Sequence, residues 1–310
     1  LVFFLDYHYI KKTETSVSFM NDPRSSFFGI LITCSSIIIT LWILFVVVHQ
    51  YRALHYYQLG IADSNRGSVD TGLDTINRAV TIADNDIFQR QLSQIALVKI
   101  QTLINKNQST NSTALAEQIK TWGSNAVSHT ERALAYNPYN TLNWINQGDI
   151  YRFMAKLGIA GTYDKSLYAY HRAQKTSPHD VNIDVYLAQL ELAIGNTAEA
   201  KKILQASIDK QPTRDAYVTH YQIALSERNM ENADIMLVQA LQLDPKNPDL
   251  YYEYGLFSYA QANYQRAAQS FNQVITLDAT YTQAYYYLAV ALEKSGNTAD
   301  AQQVITWLRN

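Results

Sequence analysis

The sequence contains little cysteine, little charge and no cluster of basic residues. Cys34 is the only cysteine among 310 residues, so no disulfide framework is available and the redox compartment is not indicated. Charged side chains make up 17% of the chain, and the net charge is −2. Because a nucleic-acid surface concentrates Lys and Arg on one face, this composition argues against a nucleic-acid partner.

Motifs for catalysis, cofactors and metal ions are absent from the sequence as well. The seven histidines are scattered, without the H-E-x-x-H spacing of a zinc site. Neither a glycine-rich phosphate loop nor a G-x-S-x-G nucleophile elbow occurs. Asp84 and Asp86 stand at a predicted helix boundary, where favourable interaction with the helix dipole explains them. We therefore predict no catalytic residue, no cofactor site and no metal site.

A long apolar run is present near the beginning of the chain. Residues 27–48 form a stretch of 22 residues without a charged side chain. At about 1.5 Å per residue, a helix of this length crosses a hydrocarbon core of about 30 Å. A buried core helix and a cleaved signal peptide are the alternatives, but no small-x-small cleavage site follows the run. The sequence therefore predicts a transmembrane helix over residues 27–48.

Basic residues on the two sides of this run indicate its orientation. Three of them precede the run, and two, Arg52 and Arg66, follow it within twenty residues. The excess places the N-terminal side in the cytoplasm and everything after the run outside it. Residues 1–26 are predicted to be a juxtamembrane segment. Because residues 1–5 are apolar too, this segment is alternatively the end of a preceding span plus a short cytoplasmic loop.

After residue 53 the sequence repeats itself with a period of about 34 residues. In the clearest copy, Tyr251, Tyr254 and Gly255 open the unit, and the small residue Ala267 follows the glycine by twelve positions. The same spacing between two small residues recurs in other copies. These pairs are Gly60 and Gly72, Ala188 and Ala200, and Ala289 and Ala301.

This pattern resembles the tetratricopeptide repeat, a helix-turn-helix unit of about 34 residues. The resemblance implies an all-α, right-handed superhelical solenoid of about seven hairpins preceded by one transmembrane helix. The expected units are 53–86, 87–140, 141–180, 181–214, 215–247, 248–281 and 282–310. Small and aromatic residues are expected at the helix crossings. These packing residues are Gly60, Gly72, Ala79, Trp144, Gly148, Tyr151, Ala188, Ala200, Gly255, Ala267, Ala289 and Ala301.

Two units are longer than the pattern requires. The second contains a polar loop at residues 105–113, and in the third six extra residues, 157–162, delay the second helix. Repeat proteins often place partner contacts in such insertions. A loop that is merely tolerated is the other interpretation.

The family's best-known ligand mode is a clamp of Lys, Arg and Asn that grips a peptide carboxylate. By register, the matching positions here include Ile145, Asp149, Val185 and Gln189, whose side chains cannot form that clamp. In the last two units the same register presents mainly aromatic residues, which suit an extended peptide or a sugar. The candidate partner-binding residues are therefore Tyr252, Leu256, Tyr259, Tyr286 and Val290. Alternatively, these tyrosines only cover the neighbouring helix.

Together these features predict a membrane-anchored bacterial scaffold for protein–protein interaction, with its repeats outside the cytoplasm and the bilayer and an unidentified protein as partners. An alternative comes from the arrangement of apolar segments followed at once by repeats. That arrangement resembles the C-terminal repeat region of bacterial O-antigen ligase or polymerase-like glycosyltransferases. No catalytic motif of that family lies in these residues, so the chain would be its non-catalytic part.

Overall fold

The computed structural model describes residues 23–106 and 113–309, and all regular secondary structure in these two ranges is α-helical. The first 22 residues and the polar loop at 107–112 lie outside the described residues. Fourteen helices occur in the described ranges. They are α1 (Pro23–Asn65), α2 (Val69–Ile82), α3 (Asp86–Lys106), α4 (Thr113–Tyr136), α5 (Thr141–Lys156), α6 (Thr162–Thr176), α7 (Asn182–Ala193), α8 (Thr197–Lys210), α9 (Arg214–Ser226), α10 (Met230–Leu243), α11 (Pro248–Ala260), α12 (Tyr264–Leu277), α13 (Thr282–Lys294) and α14 (Thr298–Arg309).

The helices pair in sequence order as hairpins of a tetratricopeptide-like solenoid, as the periodicity predicts. The chain divides into two compact units, residues 1–88 and 89–310. Helices α1 and α2 form the hairpin of the first unit, and α5 to α14 form five successive hairpins in the second. Each hairpin buries small and apolar residues, and the resulting core clusters join neighbouring hairpins. This arrangement needs no single globular centre.

The apolar run and the first helix of the repeats belong to one unbroken helix, α1, rather than to two separate ones. No glycine or proline stands between Gly29 and Gly60, so nothing in the sequence ends the helix between them. Over residues 27–48 the side chains are mostly exposed, and Ala53 is the first residue of α1 that is fully buried. The repeats thus begin in the same rod that carries the apolar run.

Close helix crossings explain the small residues of the repeat pattern. A Cβ atom added to Gly255 on α11 would lie 2.6 Å from Cε1 of Phe271 on α12. One added to Gly60 would lie 2.8 Å from the carbonyl oxygen of Gly72. Real Cβ atoms do not approach other atoms this closely. All the predicted packing residues are buried, namely Gly60, Gly72, Ala79, Trp144, Gly148, Tyr151, Ala188, Ala200, Gly255, Ala267, Ala289 and Ala301.

Turns within the hairpins depend on a residue in the left-handed conformation. Gly195 and Gly296 occupy it with φ of 82° and 89°, which is the role that the sequence predicts for glycine there. Arg228 and Ala262 hold the equivalent turns with φ of 58° and 57°. The tertiary packing of the hairpin therefore enforces this conformation even where the residue disfavours it.

The start of α5, which supplies more residues to the cavity described below than any other helix, is fixed by side-chain hydrogen bonds to the preceding turn. Trp144 Nε1 donates to the carbonyl oxygen of Pro138 at 2.7 Å. The buried amide of Asn143 donates to the carbonyl oxygens of Asn137 and Ala133 at 3.0 and 3.2 Å. These bonds join α5 to the last turn of α4 and to the turn that follows it. They hold α5 in a fixed position next to α4.

Candidate functional site

Four first helices of successive hairpins, α3, α5, α7 and α9, line one cavity of about 570 Å³. Its walls alternate between amide or charged side chains and apolar ones. Every lining side chain comes from a first helix, which is the face that the repeat register assigns to ligands. The lining residues are Gln94, Leu97, Asn146, Asp149, Arg152, Phe153, Lys156, Gln189, Leu192, Ala193 and Gln222.

Arg152 is the centre of the polar side of this cavity. Its Nη2 donates to Asp149 Oδ1 at 2.8 Å, its Nη1 to Gln189 Oε1 at 2.8 Å, and its Nε to the Tyr170 hydroxyl at 3.1 Å. The Tyr170 hydroxyl in turn donates to Asp149 Oδ1 at 2.8 Å. Three helices, α5, α6 and α7, are joined by this network, so the guanidinium group is held in one orientation.

The position of Tyr170 follows from the small residue opposite it. Tyr170 is fully buried on α6, and its ring lies where a Cβ atom of Gly148 would have to be. The glycine on α5 therefore lets the ring pass beneath that helix and brings its hydroxyl to Asp149. Burial raises the pKa of the Tyr170 phenol, and the Asp149 carboxylate raises it further. The phenol thus keeps its proton and remains a donor to Asp149.

The remaining polar groups of the cavity are suited to hydrogen bonding with a ligand. Asp149 neutralises Arg152 across an ion pair of 2.8 Å, while Lys156 forms no ion pair within the described part of the chain. Gln94 on α3 and Gln222 on α9 are exposed. Their amides combine a donor and an acceptor, the pair that a peptide backbone also presents. The cavity therefore combines amides with one excess positive charge.

The four positions that match the family's clamp by register lie in two different environments. Ile145 and Val185 are buried in the core, whereas Asp149 and Gln189 line the cavity. The contribution of Arg152, which joins Asp149 and Gln189, was not predicted from the sequence. The spacing of three residues between Asp149 and Arg152 on one helix was the available signal, because side chains so spaced meet on a helix face.

The five candidate residues of the last two units lie in a different environment. Tyr252 is half-buried, and its ring centroid lies 5.0 Å from that of Tyr281 and 5.8 Å from that of Phe271. Leu256 and Tyr259 pack on the same core cluster, and Val290 is partly exposed. Tyr286 differs from these residues because 60% of its surface is exposed.

These contacts favour the alternative that Tyr252 and Tyr259 cover neighbouring helices. Tyr252 contacts Phe271 of its own hairpin and also reaches the next hairpin, where its ring lies 5.9 Å from that of Tyr287. Tyr259 packs edge-on against Tyr264 of its own hairpin at 5.3 Å. Of the predicted set, Tyr286 offers the largest accessible aromatic surface.

Neither the cavity nor the surrounding surface holds an obvious metal site. Within residues 23–106 and 113–309, no group of three or more His, Cys, Asp or Glu side chains is placed to hold a metal ion.

Comparison with known proteins identifies the repeats. A family model described as tetratricopeptide repeat matches residues 159–219 and 258–307, and a second model of the same description matches residues 224–282. No curated protein matches the chain.

Solved structures with a similar fold include TTC0263, a thermophilic TPR protein of Thermus thermophilus. It is 15% identical, with a TM-score of 0.50, over 66% of this chain and 98% of that one. PilW, a type IV pilus biogenesis factor, is 17% identical over 70% and 93% of the two chains, with a TM-score of 0.45. YrrB, a TPR protein with an unusual peptide-binding site, is 14% identical over 58% and 90%, with a TM-score of 0.39. At 15% identity the likeness to TTC0263 shows the fold alone.

Tyr170→Phe tests the polar network at the cavity. The change keeps the ring but removes the hydroxyl that bridges Arg152 and Asp149, and we expect it to destabilise α5 and α6 by about 1 to 3 kcal/mol. Amide hydrogen exchange in these helices measures the effect. Tyr168→Phe, on the same helix at an exposed position, is the matched control and should change exchange little. Equal exchange in the two variants would show that the network contributes no stability.

Proposed function

We propose that the chain is an interaction scaffold that binds an extended segment of a protein partner. Tetratricopeptide-repeat models match it between residues 159 and 307, which supports this proposal. The proposed site is the cavity between α3, α5, α7 and α9. The observation that carries the proposal is that four successive first helices contribute side chains to one cavity. An extended polypeptide crosses several repeats in this way and contacts each of them in turn.

The chemistry of the cavity favours a polypeptide over a small metabolite. Gln94 and Gln222 are at its two ends, on α3 and α9, and each offers an amide that can pair with a peptide group. Leu97, Phe153 and Leu192 supply apolar surface between them for side chains of the ligand. Polar groups that fix orientation among apolar contacts are typical of binding sites.

The hydrogen bonds of Arg152 hold its side chain in place before a ligand binds. Arg152 is already fixed by Asp149, Gln189 and Tyr170, so little side-chain entropy is lost when a ligand binds beside it. The ion pair leaves Lys156 as the excess charge. We therefore expect the bound segment to carry an acidic residue near Lys156. This geometry is unlike the clamp of several cations that grips a C-terminal carboxylate.

The exposed Tyr286 is the second candidate location for a partner. Aromatic side chains concentrate binding energy in interfaces and also stack on sugars, so either a protein or a glycan suits this position. Tyr252 and Tyr259 would contribute only the parts of their rings that remain accessible beside it.

We further propose that α1 anchors the repeats to a membrane. An 18-residue window of this helix has a mean hydropathy of 2.7, and none of it is buried. Large side chains such as Phe27 and Trp42 are more than half exposed, which is costly in water. A signal sequence has similar composition, so the proposal rests on the absence of a cleavage motif and on the continuity of α1 with the first hairpin. The arrangement suits a scaffold without a catalytic part, and we prefer it to the O-antigen ligase-like architecture.

Site-specific photocrosslinking in the native cells locates the partner. A photoreactive amino acid at Gln94 or Gln222 should crosslink the same protein, because both positions face one cavity. Gln205, exposed on the second helix α8, is the matched control and should give no such product. Crosslinks from Tyr286 but not from either cavity position would move the site to the last two hairpins. Identical products from Gln205 would contradict a specific site.

The orientation of the anchor is tested by a reporter enzyme that is active only outside the cytoplasm. Fused after Asn310, it should be active, because the charge bias places the repeats on the extracytoplasmic side. A fusion that replaces all residues after Arg24 should be inactive. An inactive full-length fusion that is stably produced would reverse the orientation.

A further inference from the structure

The fourth helix is much longer than the other second helices of the hairpins. Helix α4 has 24 residues, whereas α2, α6, α8, α10, α12 and α14 have 12 to 15. Its buried residues begin at Gly123 and Trp122 packs beside them, so its first nine residues extend beyond the part that packs in the hairpin. The connection between α5 and α6 is also longer, with five residues in place of three. Both departures occur next to each other in the compact unit formed by residues 89–310.

These two insertions border an apolar cavity of about 720 Å³. Ile119 and Val127 of α4 form one wall, Met154 of α5 lies opposite, and Leu157 and Ile159 of the long connection form the edge. Gly123 adds depth, because a Cβ atom there would come within 3.2 Å of Met154 Cε. This cavity shares Phe153 with the one between the first helices. It differs from that cavity because α4 forms one of its walls and because its lining is mainly apolar.

Exposed apolar side chains at the cavity edge indicate that it has a ligand. Leu157 is 42% exposed and Ile159 is 47% exposed, although each stands in a short loop where polar residues are usual. Large side chains left in water beside an apolar cavity mark binding sites. A ligand that fills the cavity would cover both.

Cations stand at the polar edge of the cavity. Lys165 Nζ lies over the Tyr151 ring, 5.3 Å from its centroid, and it forms no ion pair with a carboxylate in the described ranges. Lys120, also at the edge, lies 3.6 Å from Glu117 on the surface. Glu131 is the one carboxylate in the lining. Because Lys120 is paired with Glu117, Lys165 is the cation that remains for an anionic group, and the Tyr151 ring holds its ammonium where such a group would meet it.

We propose that this cavity binds a single-chain anionic amphiphile, of the chemistry of a long-chain fatty acid. The acyl chain would lie against the apolar wall of α4, and the carboxylate would meet Lys165. The lining of α4 runs from Ala116 to Glu131, which is about 22 Å of helix at 1.5 Å per residue. An apolar cavity with Lys165 at its edge fits such a molecule, and its volume lies in the usual range for small ligands, about 300 to 1,000 Å³.

The test uses the full chain in phosphatidylcholine nanodiscs and palmitic acid that carries a photoreactive diazirine on its chain. After irradiation, mass spectrometry locates the adducts. We expect adducts in α4 and in residues 151–162, and unlabelled palmitic acid should compete them away. Exposed apolar residues of α1 serve as an internal comparison, because contact with bilayer lipid there is not saturable.

Matched variants separate the cavity from general lipid contact. Ser128→Trp fills the cavity, because Ser128 is exposed and belongs to the lining. Asn125→Trp is the control, because Asn125 is exposed on the same helix but lies outside the lining. Ser128→Trp should abolish the competed adducts and Asn125→Trp should leave them. Lys165→Glu should reduce them and Lys165→Arg should retain them. Adducts confined to α1, or cavity adducts that Ser128→Trp leaves unchanged, would overturn the proposal, and a partner helix would then be the occupant to test.

Discussion

The close approach of the two helices within each hairpin is the constraint on which the rest of the structure depends. At Gly255 the distance leaves no space for a Cβ atom beside Phe271, and at Gly148 the Tyr170 ring occupies the equivalent space. The second of these contacts has a functional consequence. By admitting the ring beneath α5, Gly148 brings the Tyr170 hydroxyl to the network that fixes Arg152 in the cavity. A packing rule thereby determines the geometry of the binding surface.

Much of the fold could be predicted from the sequence, because a helix crossing accepts few residue types. Gly255 and Ala267 recur with a fixed spacing for that reason, and the number of hairpins follows from counting such pairs. The sequence placed the apolar run directly before the first hairpin, and the two form one helix because nothing between Gly29 and Gly60 ends it. The lack of a helix-ending residue between Gly29 and Gly60 is the sequence feature that indicates one continuous helix.

The candidate sites were less predictable because they depend on contacts between hairpins. Register alone placed Asp149 and Gln189 on the ligand face but could not show that Arg152 joins them. The same limit applies to Tyr252, whose ring packs both on Phe271 of its own hairpin and on Tyr287 of the next one. Likewise, the length of the insertion at residues 157–162 was visible, but not the apolar cavity that it forms with α4. Side-chain contacts between residues that are distant in sequence could be identified only from the structure.

Amide hydrogen exchange on the full chain with Gly255→Ala, compared with Gly123→Ala, tests the packing constraint most directly. Alanine is the better helix former by about 1 kcal/mol, so propensity favours both changes. At Gly123 the added methyl meets only the flexible tip of Met154, and protection of α4 should stay or rise. At Gly255 the methyl meets the Phe271 ring, and we predict that α11 and α12 lose protection while α5 to α8 keep it, because repeats contact only their neighbours. Unchanged or increased protection of α11 and α12 in Gly255→Ala would contradict the central role of these crossings.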